Sequence, residues 1–381
     1  MTRILYFSRD YTTHDHRFLS ALAKTEHQVF YLRLEKARHA AEDRSLPSEI
    51  EIVEWAGGRA PVSWRDGPRL LSSLKQVLRR IQPDLVQAGP LQRSAFLVAL
   101  SGFRPLVSMS WGYDLIQDAS RNALWRWATR YTLKRSAAMV GDCDTIRRLA
   151  VSYGMPDERI VTFPWGVDLR HFSPPEHAGT RQPDHPETTQ QPFTLLSTRG
   201  WEPIYGVEVI ARAFVRAARR RPELHLVMLG NGSQASTLRQ IFHQAGMQER
   251  VHFPGQINQT DLPRYYRSAD LYLSASHSDG TSISLLEALA CGRPALVSDI
   301  SGNREWITPG LEGWLFPDGD EIALAEAIEQ AASDRSRLSQ MGEAGRHLAE
   351  KRADWDKNFP ELFKAYELAL SQSKPYESNR P

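Results

Sequence analysis

In the segment ASHSDGTSISLLEALACGRP (residues 275–294) two acids flank the stretch GTSISLL: Asp279, beside a glycine, and Glu287, inside an otherwise apolar helical pattern. A carboxylate in such a helix needs hydrogen-bond partners to offset its desolvation. An arginine ion pair, a metal ion or a ligand diol such as a ribose could each supply them. No His or carboxylate stands at helical ligand spacing from Glu287, which counts against the metal. Gly280, Thr281 and Ser282 precede the helix, where unpaired N–H groups and the positive end of the helix dipole favour a phosphate. A nucleotide diphosphate would satisfy both features, with its phosphates at the helix start and its ribose hydroxyls on Glu287. Asp279 would then face whatever the phosphate carries.

The acids need a strand to present them and a helix to carry them. DLYLSAS reads as the strand, SDGTS as the loop and ISLLEALA as the helix, closed by Gly292 and Pro294. Around this unit, β-rich runs alternate with helical patterns through the whole chain. In the first half the strands are ILYFS, HQVFYLRL, EIEIVEW, DLVQAG, PLVSMSW and AAMVGD, with helices over 14–24, 66–81, 119–136 and 145–153. In the second they are FTLLSTR, LHLVMLG, VHFPG, DLYLSAS and PALVSD, with helices over 206–220, 233–245, 260–268 and 320–332. Such alternation predicts an α/β protein with two doubly wound parallel-sheet domains. Residues 174–192, rich in Pro, Thr, Gln and His, predict a linker or exposed loop between domains at 1–173 and 193–354. In 355–381, Trp355, Phe359, Phe363 and Tyr366 recur at helical spacing, and this segment is expected to return to the first domain.

Bulk properties exclude several functions. The 381 residues carry a formal net charge of +2, which gives no global argument for nucleic acid. The two cysteines, Cys143 and Cys291, are too few and too isolated for a disulfide framework or a zinc site. The longest apolar run, near Phe96–Leu100, is too short to span a bilayer, and the N-terminus lacks a signal-peptide pattern, so a cytoplasmic location is expected.

Taken together, DGTSISLLEA and ACGRPALVSDISGNREWI resemble the signature of family-four retaining glycosyltransferases with the GT-B fold. The resemblance runs through most of 193–370 and more faintly through the first half. It implies two Rossmann-like domains facing across a cleft, a nucleotide-sugar donor (UDP-sugar favoured) held mainly by the second, and a hydroxyl acceptor held mainly by the first. The acceptor would be a glycan, a lipid-linked saccharide or a small molecule. No metal and no cofactor are implied.

By the same resemblance Glu287 grips the donor ribose, and Asp279 stands where the family usually has Glu and bonds the donor sugar. Thr281 and Ser282 take phosphate and sugar contacts. LSTRGWEPIYG (196–206) places Arg199 at the leaving diphosphate, while Ile204 and Tyr205 stand where a lysine is expected. Gly230 and Gly232 in LGNGS match a short glycine turn, and Gly255 and Ile257 in FPGQI lie where the base is sandwiched.

On the first domain, SRDYTTHDHRF carries no glycines and crowds Arg9, Tyr11, His14 and His16 at a strand's carboxyl end. SWGYD (110–114) puts Trp111 at the position of a family histidine; Asp114 suits either a hydroxyl or the capping of the next segment. The helix over 122–135 places Leu124, Trp127, Ala128 and Tyr131 on one face, and Arg126, Arg130 and Lys134 on another. That basic stripe is either solvated or a peripheral contact with the inner face of the cytoplasmic membrane. A nucleotide-sugar epimerase and a non-catalytic nucleotide-sugar binding protein are the rival functions. An NAD enzyme is disfavoured because no G-x-G-x-x-G follows a strand.

Overall fold

The computed structural model describes residues 1–36, 42, 44–175 and 192–372. The chain divides into two compact units, the first made of Met1–Phe163 with Phe359–Pro381, the second of Pro164–Asn358. The first unit therefore ends at Phe163, short of the expected boundary at 173, and the chain re-enters it at Phe359, past the expected 355. Most of the expected linker, 176–191, lies outside the described residues.

The first unit is built on β1 (Arg3–Ser8), β2 (Gln28–Arg33), β3 (Glu51–Ile52), β4 (Leu85–Gly89), β5 (Leu106–Met109), β6 (Ala138–Gly141) and β7 (Ile160–Thr162). All pair in parallel in the order β3-β2-β1-β4-β5-β6-β7. The second unit holds β8 (Phe193–Ser197), β9 (Leu224–Leu229), β10 (Val251–Gly255), β11 (Leu271–Ser274), β12 (Ala295–Ser298) and β13 (Gly313–Phe316), parallel in the order β10-β9-β8-β11-β12-β13. Each unit is thus a Rossmann-like sheet. Its strand order reverses beside the first strand, β1/β4 in one unit and β8/β11 in the other. Loops diverge there at the carboxyl ends, leaving a crevice where open α/β sheets bind ligands.

The strands read as apolar runs because helices cover both faces. In the second unit Phe193, Leu195, Leu226, Leu271 and Leu273 pack on one side with Ile210 and Phe214, while Leu196, Tyr272 and Val297 pack on the other with Leu285 and Leu289. The helix Ile283–Ala290 is apolar nearly all round because it lies between this sheet and the helix Arg335–Arg352.

Several elements were not foreseen. Helix Ser94–Ser101 absorbs the apolar run near Phe96, and β13 and helix Arg335–Arg352 follow the last expected strand. The C-terminal aromatic stripe is not one helix: Trp355–Asn358 is a short turn in the second unit, and the helix Glu361–Ser371 belongs to the first. Pro360, which lacks an N–H, stands at the break between them.

Candidate active site

In the second unit the chain leaves β8 through Thr198, Arg199 and Gly200, and leaves its neighbour β11 through a loop that ends at Ser282, the N-cap of helix Ile283–Ala290. Strand adjacency brings Arg199 and Asp279 together. Arg199 Nη2 donates to Asp279 Oδ2 at 2.7 Å, and Nη1 donates to Ser282 Oγ at 2.9 Å and Ser284 Oγ at 3.4 Å. The guanidinium carbon lies 4.1 Å from the Tyr205 ring centroid, a cation–π contact. Only 10% of the Arg199 side chain is exposed, and its Nε has no hydrogen-bond partner among the described residues. Burial opposes the charged guanidinium, but the adjacent Asp279 carboxylate together with Tyr205, Tyr272 and Tyr266 outweighs it, and the pKa is raised. Arg199 is a fixed cation at the start of a helix. Tyr205, one of the two residues that stand where a lysine is expected, stacks on this arginine.

Glu287 is buried, 4% exposed, and its Oε2 accepts from the Tyr266 hydroxyl at 2.8 Å. The same hydroxyl reaches Ser284 O at 3.2 Å and Thr198 Oγ1 at 3.0 Å. One hydrogen-bonded array therefore links Glu287 to the β8 loop that carries Arg199. Burial, then the neighbouring Glu287 charge, pushes the Tyr266 hydroxyl well above its usual range, so it stays a donor. Tyr266 was not singled out from the sequence, because nothing in LPRYYRS marks which tyrosine faces the acid.

The loops are held close by glycines. A Cβ on Gly302 would stand 2.2 Å from the carbonyl oxygen of Gly280 and 2.6 Å from that of Asp279, so this glycine lets the Asp279 loop sit down on the next β–α unit. Gly230 adopts φ +103°, and a Cβ there would meet Arg199 O at 3.0 Å; one on Gly232 would meet Trp201 O at 2.4 Å. The Gly230 N–H donates to Gly255 O at 2.8 Å, joining the turn after β9 to the end of β10. The structure thus brings Gly230, Gly232 and Gly255 beside the Arg199 loop. Thr281 and Ser282 are buried next to it. Ile257 packs on the cluster that contains Leu229, Leu262 and Tyr266.

The first unit gathers its own polar residues at the carboxyl ends of β1 and β5. Tyr11 Oη and His16 Nδ1 lie 2.7 Å apart, and His16 Nε2 is 3.4 Å from Ser20 Oγ. Burial, reinforced by Arg44, lowers the His16 pKa. His14 stacks obliquely on Trp111 with ring centroids 5.6 Å apart. Arg9 is paired with Glu35.

Asp114 does not present a hydroxyl-binding face. It is fully buried: Oδ1 accepts from Ser110 Oγ at 2.6 Å and from the Trp111 and Leu115 N–H groups at 3.1 Å, and Oδ2 accepts from Leu91 N at 2.9 Å. It pins the β5 loop to the segment after β4. It is also not the N-cap, which is Gly112. Asp15, unremarked in the sequence, is the second buried acid here; it closes a capping box with Thr12 and accepts from Tyr6 Oη at 3.1 Å.

The helix Ala123–Arg135 buries only part of its apolar face. Ala128, Thr129, Thr132 and Leu133 are buried, while Leu124 is 66% and Trp127 49% exposed. Trp127 and Tyr131 pack with Phe96, centroids 5.4–5.9 Å apart, and Arg126, Arg130 and Lys134 stand exposed on the same helix. Among the described residues no group of three or more His, Cys, Asp or Glu could hold a metal ion, and no helix is long and apolar enough to cross a membrane.

Two Rossmann-like units, one with a buried cation and a carboxylate at its switch point, have the architecture of nucleotide-binding α/β proteins. Residues 181–348 match the family described as "Glycosyl transferases group 1", and residues 12–171 match "Glycosyltransferase Family 4". The chain belongs to the family-four glycosyltransferases of GT-B type and is a glycosyltransferase. It is similar to the GDP-mannose-dependent alpha-(1-6)-phosphatidylinositol monomannoside mannosyltransferase of Mycolicibacterium smegmatis, with 25% identity over 89% of each chain. A D-inositol 3-phosphate glycosyltransferase of Geodermatophilus obscurus is 26% identical over 60% of this chain and 52% of its own. Among solved structures, sucrose-phosphate synthase from Thermosynechococcus elongatus superposes with a TM-score of 0.79 at 17% identity, over 98% of this chain and 100% of that one. Anabaena HepE in complex with UDP and glucose superposes at 0.76, also 17% identical, over 96% and 100%.

Proposed function

We propose that the chain is a retaining mannosyltransferase that moves a hexosyl group from GDP-mannose to a hydroxyl of an inositol-containing acceptor. The observation that supports it best is the Arg199–Asp279 pair at the start of helix Ile283–Ala290, with Glu287 about one turn into that helix. The donor preference departs from the UDP-sugar expected from the sequence, because two relatives that align over 89% and 86% of this chain carry GDP-mannose in their names. The UDP in the HepE complex belongs to a protein too distant to bear on more than the fold.

In this reading the bond between the sugar's anomeric carbon and the diphosphate oxygen breaks while the acceptor oxygen bonds the same face of that carbon. The acceptor's proton passes to a diphosphate oxygen, so the protein supplies no dedicated base. Charge separation dominates the barrier: the sugar ring becomes positive and the departing diphosphate negative. Arg199 and the helix N-terminus, held in place before reaction, stabilise the negative end without reorganising. Asp279, which pairs with Arg199 in the free protein, is released to the sugar hydroxyls as the diphosphate takes the guanidinium. Glu287, oriented by Tyr266, takes the ribose. No metal enters this scheme, so activity is expected to survive EDTA.

The acceptor side lies on the first unit, around Tyr11, His14, His16 and Trp111. The exposed Leu124 and Trp127 beside Arg126, Arg130 and Lys134 suit peripheral contact with an anionic membrane at its cytoplasmic face. The test is incubation with GDP-mannose and vesicles containing phosphatidylinositol mannoside, with the product's anomeric configuration read by NMR. An α-mannosyl product supports the proposal; an inverted product, or GDP-mannose converted to another nucleotide sugar without acceptor, contradicts it.

A further inference from the structure

A cavity of about 250 Å³ opens on the first unit, lined among others by Tyr11, Tyr31, Arg33, Glu54, Trp55 and Arg59. It has room for one saccharide-sized ring and is small beside the roughly 300–1,000 Å³ of drug-sized sites. Its aromatic walls are fixed. Tyr11 and Tyr31 pack with centroids 6.0 Å apart, and Trp55 stands edge-on to Phe7 while its indole N–H donates to Arg33 O at 2.8 Å. Gly57 and Gly58 line the floor; a Cβ on Gly57 would stand 2.5 Å from the Trp55 ring, and Gly58 has φ +82°, so the backbone can pass only as glycine.

Its charges are arranged for an anion with hydroxyls. Arg33 is anchored by Nη2 to Gly58 O at 3.0 Å and lies 3.8 Å from Asp10. Arg59 is exposed and has no ion pair or hydrogen bond among the described residues. Glu54, the lining carboxylate, likewise has no side-chain partner among the described residues and can accept hydrogen bonds from hydroxyls.

We propose that this cavity is a binding site for a phosphorylated polyol, with the phosphate on Arg33 and Arg59, ring hydroxyls on Glu54 and the ring against Tyr11 and Trp55. It rests on the proposed function in one respect: the occupant is the anionic head of the acceptor. Planar guanidinium groups suit phosphate oxygens because they donate in pairs.

The test is calorimetric titration of the full chain with myo-inositol 1-phosphate, free myo-inositol and inorganic phosphate, and sedimentation with vesicles of phosphatidylcholine with or without phosphatidylinositol. GDP titration serves as the control. We expect myo-inositol 1-phosphate to bind wild type more tightly than inorganic phosphate or myo-inositol, and Arg59→Glu to weaken it at least about tenfold with GDP affinity unchanged. Glu54→Gln, a neutral isostere at an exposed position, is expected to weaken the polyol phosphate but not inorganic phosphate. Phosphatidylinositol-dependent sedimentation lost in Arg59→Glu would assign the head to a lipid; soluble binding without it would assign a free phosphate ester. Equal binding of myo-inositol 1-phosphate by wild type and Arg59→Glu, or no preference over inorganic phosphate, overturns the proposal. Failure of GDP to bind wild type would instead count against the proposed function.

Discussion

Arg199 is a buried cation whose four neighbours play three parts: Asp279 neutralises it, Ser282 and Ser284 orient it, and Tyr205 stacks on it. A lysine has neither the fork nor the flat face for this. Arg199→Lys is therefore expected to lower kcat about a hundredfold, measured as GDP release in a coupled assay, with unchanged thermal unfolding. At the same scale, Asp15 and Asp114 are raised from 3.8 to about 6, by burial first, against the hydrogen bonds that favour their ionised forms. Because the folded pKa is the higher one, their contribution to stability is full below about 3.8 and is lost as pH rises through about 6. Carboxyl carbon NMR should show both titrating near 6; titration near 3.8 would contradict the burial argument. Glu287 stood out in the sequence because an acid in an apolar helix is costly without partners, and Asp279 because it lies beside the glycine that precedes that helix and matches the family's pattern. Tyr266 did not, since its contact with Glu287 is set by which helices lie side by side, and Asp15, whose capping box with Thr12 is local, shows only in the structure that it is also buried against Tyr6.

Elements decide whether those residues meet. The loop carrying Asp279 rests on Gly302, where a methyl group would collide with two carbonyl oxygens. Gly302→Ala should displace the loop, weakening GDP-mannose binding at least about tenfold by calorimetry, with a stability loss of roughly 1–3 kcal/mol. Donor binding equal to wild type would show that the loop's position is unimportant. Alternating strands and helices were legible because apolar runs and helical periodicity differ, but faces were less so. In helix Ala123–Arg135 the apolar and basic faces could be placed, but the pattern did not show that Thr129 and Thr132 lie inside with Ala128 and Leu133, satisfied by Trp125 O, Ala128 O and Leu91 O. Trp127→Ser, which loses the ring contacts with Phe96 and Tyr131 but no core packing, should accordingly cost only about 1–2 kcal/mol of unfolding free energy, while reducing sedimentation with anionic vesicles.

On the scale of the molecule, the chain crosses into the second unit once and returns at Phe359. The returning helix Glu361–Ser371 closes the first unit: Tyr366 donates to buried Gln87, Phe363 packs on His27, and Phe359 on Phe18. A chain ending at Asn358 would expose that core, and its first unit should melt at lower temperature in calorimetry while GDP binding by the second persists in the cold. The return was legible from aromatic spacing, though not its starting point, because Pro360 divides a periodic stretch into pieces that serve different units. The central claim is that the second unit holds a nucleotide diphosphate sugar through Glu287. Titration of GDP into wild type and Glu287→Gln tests it most directly. Clear binding by wild type and binding at least about tenfold weaker by a variant with unchanged circular dichroism is the predicted result; equal affinity in the two proteins would contradict it.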